Sequence, residues 1–147
     1  MLFVPYAAVD NFEEIGLMMQ DYRRGLAEAG IEDATGMAAV ALHTHVAATD
    51  DEARERAARA FDLYVETRLY ARKQVYDDII ASGLSLFGSP RTVADKLARL
   101  ADMGLDHVMS LHNFGLMPQD RVLDSMRRLM DEAVPLSGVR RAAVEPA

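Results

Sequence analysis

Four histidines are the side chains best suited to chemistry, and they lie on or beside two strongly apolar segments. His43 and His45 belong to MAAVALHTHVA, while His107 and His112 belong to HVMSLHNF. An uncharged run of small and branched residues is typical of a strand covered on both faces. Residues two apart on a strand share a face, so His43 and His45 point to the same side. They are the candidate catalytic pair, and the alternative is a buried, hydrogen-bonded pair without a ligand.

Other constellations that could carry chemistry are weak. A metal at the histidines would need a third convergent ligand, which the spacing does not supply, so no metal site is predicted. The chain has no cysteine, and therefore no disulfide, thiolate nucleophile or zinc–sulfur site. It also has no glycine-rich phosphate motif and no G-x-S-x-G elbow. The acidic run 50–52 is typical of a helix start.

The composition excludes some classes of partner. The chain has 147 residues, is 50% hydrophobic and carries a net charge of −7. This charge argues against a nucleic-acid backbone or an anionic membrane as partner. No apolar run reaches membrane-spanning length, and no cationic leader precedes an apolar core. We therefore expect a cytoplasmic protein.

Strand and helix signals alternate along the chain. Strands are predicted at 2–6, 38–47 and 107–114, and helices before Gly30, after Thr49, from Pro90 to Gly104 and from Pro118 to Pro135. Ser89 is a typical N-cap with Pro90 in the first turn, and Thr49 with Glu52 forms a capping box. This order is the repeating unit of a parallel α/β protein. It predicts one domain over 1–135 and a flexible tail over 136–147.

The second half of the chain carries several motifs in a definite order. A "GSP-x-x-V-A-x-K-L" helix is followed by a "G-x-D-H" turn, a strand ending in aromatic-Gly, and an "M-P…V-L-x-S" helix. This order resembles the closing segment of the luciferase-like flavin monooxygenases. The upstream stretches YAAVDNFEEIGLMMQDYRRGLAEAGI and VALHTHVAATDDEARERA are similar to the same family. The resemblance therefore spans most of the chain.

The resemblance implies a fold, an activity and a cofactor. A complete (β/α)₈ barrel takes roughly 250 residues, so this chain is expected to be the C-terminal portion of one, either a truncated fragment or a natural half-barrel. The family uses reduced FMN and dioxygen, or in sister groups F420, to oxidise a small organic substrate. Much of the flavin contact lies on strands expected to be missing here. The chain would then form part of the pocket wall and be inactive alone; the alternative is a non-catalytic half-barrel that binds flavin or a partner.

The barrel geometry implied by the resemblance indicates where the site would lie. Barrel enzymes keep their active sites at the carboxyl ends of the strands, which places His43 and His45 on the concave interior near that rim. The other rim residues, the candidate cofactor contacts, are Tyr6, His112, Asn113, Phe114 and Gly115. The register of the last strand stays open: either Ser110, His112 and Phe114 face inward, or Asn113 does.

A piece of a barrel also implies a partner. A closed barrel has no sheet edge, whereas a part of one leaves unpaired backbone groups and an uncovered apolar interior. The uncharged segment MAAVALHTHVA is the kind of strand that pairs with whatever edge is offered. We expect an N-terminal barrel half or a second copy to pair there, or else a poorly soluble chain.

Overall fold

Parallel strands alternate with helices in the computed structural model, which describes residues 2–5, 8–31, 37–68 and 74–139. The strands are β1 (Leu2–Pro5), β2 (Ala38–Val46), β3 (Ser85–Gly88) and β4 (His107–Leu111). The helices are α1 (Phe12–Glu28), α2 (Asp50–Glu66), α3 (Tyr76–Ser82), α4 (Pro90–Asp102), α5 (Gln119–Arg128) and α6 (Val134–Ser137). The predicted fold class, a parallel α/β part of a barrel-type fold, is confirmed. Strand β3 was not predicted, because its four residues are too few to show a period.

Strand β2 lies at the centre of the sheet and pairs in parallel with each of the other three strands. Its residues 38–41 pair with β1, 43–46 with β3 and 39–43 with β4. Because the β4 partners overlap both other sets, β1 and β3 share one edge of β2 and β4 takes the opposite edge. The segment MAAVALHTHVA is therefore paired on both of its edges within the chain. The longest apolar strand gains most by pairing on both sides.

The fourth strand is shorter than predicted. It ends at Leu111, opposite His43 of β2. Beyond that point α5 occupies the edge of β2, where the Val46 N–H donates to Ser125 Oγ at 2.9 Å. His112, Asn113 and Phe114 consequently lie in the loop after β4, and the alternation of a strand does not decide where they point.

Helices cover both faces of the sheet. Residues paired across parallel strands share a face, so His43 lies on the same side as its partners Ser85 and Leu111. We call this side, with Ala39, Ala41, His43 and His45 of β2, the histidine face. Helix α2 lies over its upper part, since the rings of Phe61 and Tyr64 contact the His43 ring.

The opposite face carries Val40 and Leu42, as predicted, and α4 packs there. Leu97 and Leu100 of α4 line a cavity of about 380 Å³ together with Leu86 of β3 and Val108 of β4. The connection through α2 and α3 leads from β2 to β3 at one edge of β2, and the connection through α4 leads from β3 to β4 at the opposite edge. These two connections run across the sheet in opposite directions. If both are right-handed, they must pass over opposite faces, which places α2 and α4 on different sides of the sheet.

The last helix continues past the proline that was predicted to end it. A π-helical turn, Leu129–Ala133, links α5 to α6, and Gly138 ends α6 with φ +70°. The Pro135 ring would clash with the carbonyl four residues earlier in a regular α-helix. The wider π turn accommodates the ring. The helix therefore runs to Ser137, and residues 140–147 of the predicted tail lie outside the described residues.

Candidate active site at the carboxyl ends of the strands

His43 is enclosed by aromatic rings. Its side chain is 1% exposed, and its ring centroid lies 5.1 Å from that of Phe61, 4.6 Å from Tyr64 and 5.4 Å from Phe114. Burial, and secondarily the charge of Arg68, lowers the pKa of His43 to about 4. The ring is therefore neutral at pH 7. The prediction that His43 faces an open concave surface is wrong, because α2 covers it.

His45 shares the histidine face with His43 and is fully buried. Neither of its ring nitrogens has a hydrogen-bond partner within the described residues. Burial, together with the smaller effects of the Arg56 and His112 charges, lowers its pKa to about 4. Arg56 Nη1 donates to Asp124 Oδ2 at 3.0 Å, which ties α2 to α5 beside the imidazole. The expectation of an open, interior-facing side chain is corrected here too, and a catalytic role for either histidine stays a prediction.

His112 is held by a serine that the sequence analysis did not single out as a site residue. Its Nδ1 lies 3.0 Å from Ser125 Oγ, which also accepts the Val46 N–H. Both side chains are buried, and burial lowers the pKa of His112 to about 4. The signal for Ser125 was present, since it is the final residue of the "V-L-x-S" motif and lies three positions after buried Val122.

The residues after His112 pack mainly against α2. Phe114 is buried, with its ring 6.0 Å from that of Phe61, whereas Asn113 is exposed. Gly115 has φ +57°, and a Cβ built on it would lie 1.6 Å from the carbonyl oxygen of Ala60. No side chain fits between this loop and α2. Tyr6, the remaining predicted contact, lies outside the described residues.

Comparison with known proteins identifies the family. A family profile described as luciferase-like monooxygenase matches residues 3–107, more than two thirds of the chain. The chain belongs to the luciferase-like monooxygenase family. A comparison with curated proteins gives no match.

Two solved structures share the fold of this luciferase-like chain. Monooxygenase RslO1 from Streptomyces bottropensis matches with a TM-score of 0.76 and 18% identity, over 90% of this chain and 40% of RslO1. Apo-MsnO8 matches with a TM-score of 0.60 and 18% identity, over 91% of this chain and 44% of MsnO8. The luciferase-like chain thus spans about two fifths of the length of these proteins.

The lower part of the histidine face is uncovered. Phe3, Met109 and Leu111 are 44%, 45% and 40% exposed, and their pairing with Ala39, Ala41 and His43 places them on this face. We call these three residues the open strip. They also decide the register of the last strand, because Met109 and Leu111 lie on the histidine side and Ser110 lies on the opposite side with Leu42.

Three further observations concern the cavity, metal binding and membrane spanning in this luciferase-like chain. None of the predicted site residues that the structure describes lines the cavity under α4, which lies on the opposite face of the sheet. In the described ranges, no group of three or more His, Cys, Asp or Glu side chains could hold a metal ion. Among those same residues, no helix has the length and apolar character needed to cross a bilayer.

Asp50 forms hydrogen bonds at the N-terminus of α4, which lies at the carboxyl end of β3. Its carboxylate accepts the Ser89 N–H and, at 2.9 Å, the Thr92 hydroxyl. Partial burial raises its pKa, but these hydrogen bonds outweigh that effect and hold the pKa below its usual range. A protein carboxylate thus occupies the position where a helix N-terminus could hold an anion.

Replacing Asp50 by asparagine is expected to destabilise the chain by about 1–2 kcal/mol, because charge-assisted hydrogen bonds to the α4 N-terminus are weakened. Urea unfolding followed by circular dichroism measures the change. Asp51→Asn is the matched control, since Asp51 is exposed in the first turn of the same helix α2. Equal losses in the two variants would contradict the role assigned to Asp50.

Proposed function

We propose that this chain forms part of the pocket wall of a luciferase-like, flavin-dependent monooxygenase. Such an enzyme would use reduced FMN and dioxygen on a small organic substrate, with F420 as the alternative cofactor. The observation that carries the proposal is the family match over residues 3–107. Three buried histidines near the carboxyl ends of β2 and β4 support it, since barrel enzymes keep their sites at this end.

The chain by itself does not leave room for a flavin ring above His43 and His45. Phe61, Tyr64 and Phe114 fill the space above His43, and His45 is equally enclosed. The residues present therefore fit one wall of a pocket and not a complete flavin site. This supports the proposal that the chain is inactive alone.

The burial of the predicted site residues limits the roles that they can have in a flavin pocket. With pKa values of about 4, the imidazoles of His43, His45 and His112 are neutral near pH 7. They can orient a ligand by hydrogen bonds but are not imidazolium acids at that pH. Phe114 and Gly115 would shape the wall through their contacts with α2. Asn113 is exposed and able to contact a ligand directly.

The proposal includes a partner for the uncovered surface. The remaining strands of a barrel, on another chain, or a second copy of this chain would cover the apolar open strip, Phe3, Met109 and Leu111. The solved relatives are more than twice as long as the matched region, which is in keeping with missing strands. We place this assembly in the cytoplasm, in keeping with the absence of cysteine.

A chimera tests the proposed function. The part of RslO1 without a counterpart here is joined to this chain, and FMN and F420 are titrated separately into the chimera and into the chain alone. We expect saturable binding of one flavin by the chimera and none by the chain alone. Tight FMN binding and substrate oxidation by the chain alone would show that it is a complete enzyme. A folded chimera that binds neither cofactor would contradict the flavin proposal.

The second candidate is a non-catalytic half-barrel that only binds a partner. The open strip favours it, because exposed apolar side chains on a sheet face suit a protein contact whether or not a flavin is present. Sedimentation of the chain at increasing concentration, with Met109→Lys as a variant, addresses this candidate. Self-association that the lysine abolishes, combined with no flavin binding by the chimera, would favour the half-barrel over the enzyme.

A further inference from the structure

The hydroxyl of Ser125 joins three separate parts of the fold. It lies on α5, accepts the backbone N–H of Val46 at the end of β2 at 2.9 Å, and contacts Nδ1 of His112, just after β4, at 3.0 Å. Ser125 is fully buried and His112 nearly so. Water therefore does not provide an alternative partner for the hydroxyl.

The single hydrogen of the serine hydroxyl decides which partner donates in the Ser125–His112 hydrogen bond. A serine hydroxyl has one hydrogen to donate, and the Val46 N–H already approaches its oxygen. Among the described residues, His112 Nδ1 is the acceptor within reach of that hydrogen. If Nδ1 carried the hydrogen instead, the buried hydroxyl would have no acceptor, which costs roughly 1–3 kcal/mol.

We infer that Ser125 is a positioning residue that fixes His112 as the Nε2–H tautomer, so that the imidazole offers a hydrogen-bond donor after the end of β4. A donor there selects for an acceptor oxygen on the ligand, such as a carbonyl, carboxylate or phosphate oxygen. It disfavours a ligand that presents an amide or ammonium N–H at the same point, because such a group cannot accept a hydrogen bond. The choice of ligand class rests on the proposed function, whereas the tautomer of His112 does not.

The surroundings keep this arrangement in place over a wide pH range. Burial lowers the pKa of His112 to about 4. The charged side chains that bear on the neighbouring His45 ring are Arg56, Arg121 and Asp124. The neutral tautomer should therefore persist from pH 8 down to about 5.

The tautomer can be observed directly in the chain alone. Two-bond ¹H–¹⁵N correlation spectra of the ¹⁵N-labelled full chain separate the two neutral tautomers and the imidazolium, and His112→Gln assigns the signals. We expect His112 to be neutral with its hydrogen on Nε2. An Nδ1–H tautomer, or an imidazolium at pH 6, would overturn the inference. This result does not require any ligand.

Variants separate positioning from packing. Ser125→Ala should populate the Nδ1–H tautomer of His112, whereas Ser82→Ala, which also removes a helix hydroxyl, should not. An unchanged tautomer in Ser125→Ala would overturn the role of Ser125. If Ser125→Ala does not fold, the wild-type spectrum still decides the tautomer.

The donor role has its own test in the chimera, with FMN as the probe. His112→Gln keeps an N–H donor and His112→Leu does not, so we expect the leucine variant to bind FMN about tenfold more weakly than the glutamine variant. Equal affinities would contradict the donor role. A wild-type chimera that binds no FMN would overturn the proposed function and the ligand class, while leaving the tautomer assignment intact.

Discussion

Alanine at position 115 is expected to destabilise the chain by more than about 4 kcal/mol, a loss that few single substitutions reach. Gly115 has φ +57°, and its Cβ would lie 1.6 Å from the Ala60 carbonyl oxygen and 2.4 Å from the carbonyl carbon. Both atoms are backbone, so no side chain can turn away. The loop after β4 and α2 would have to separate, which would uncover Phe114 and His43. Urea unfolding at pH 7 measures the loss.

A second glycine provides the matched control. Gly30 also has a left-handed backbone, with φ +70°, but a Cβ there would meet nothing within 4 Å. Gly30→Ala should lose only about 1 kcal/mol, the conformational cost of an alanine in this region. Similar losses at positions 30 and 115 would mean that the loop does not pack on α2 as described.

Mild acid is expected to unfold the chain because of its three buried histidines. The folded chain keeps His43, His45 and His112 neutral down to pH about 4, whereas an unfolded histidine is protonated below about 6.5. The unfolded chain therefore binds more protons between these values. This stability is present above pH 6.5 and is lost as the pH falls towards 4. Each histidine contributes at most about 3 kcal/mol.

The free energy of unfolding between pH 7 and 4.5 measures this effect. Three such groups would give a slope of up to about 4 kcal/mol per pH unit near pH 5. His45→Phe removes one titrating ring and should reduce the slope by about one third. A slope near zero would contradict the burial of the three imidazoles.

Several features of the chain could be derived from local sequence alone. Ser89 and Thr49 cap α4 and α2 as predicted, each accepting the N–H three residues later. The apolar segments around His43 and His107 form parallel strands. These signals depend on residues a few positions apart, within one turn or one strand. For the same reason the sequence could show that His43 and His45 share a face.

The position of the candidate site residues depended on distant parts of the chain. The Val46–Ser125 hydrogen bond joins residues 79 positions apart, and the Arg56–Asp124 pair joins residues 68 apart. The first hydrogen bond places α5 at the edge of β2 beyond β4, and the same Ser125 hydroxyl contacts His112 Nδ1. The second pair joins α5 to α2, the helix above the histidine face. No local pattern specifies such contacts, although the "V-L-x-S" motif did mark Ser125.

By itself, the sequence determined most of the elements, their alternation and the resemblance to the luciferase-like family, because capping, strand composition and motif order are encoded in neighbouring residues. Only the tertiary structure decided which edge each strand takes and which face each helix covers. A strand such as β2 has two equivalent edges, and its neighbours are chosen by the burial and hydrogen bonding of the whole chain. That choice placed α2 over His43 and His45 and left Phe3, Met109 and Leu111 uncovered.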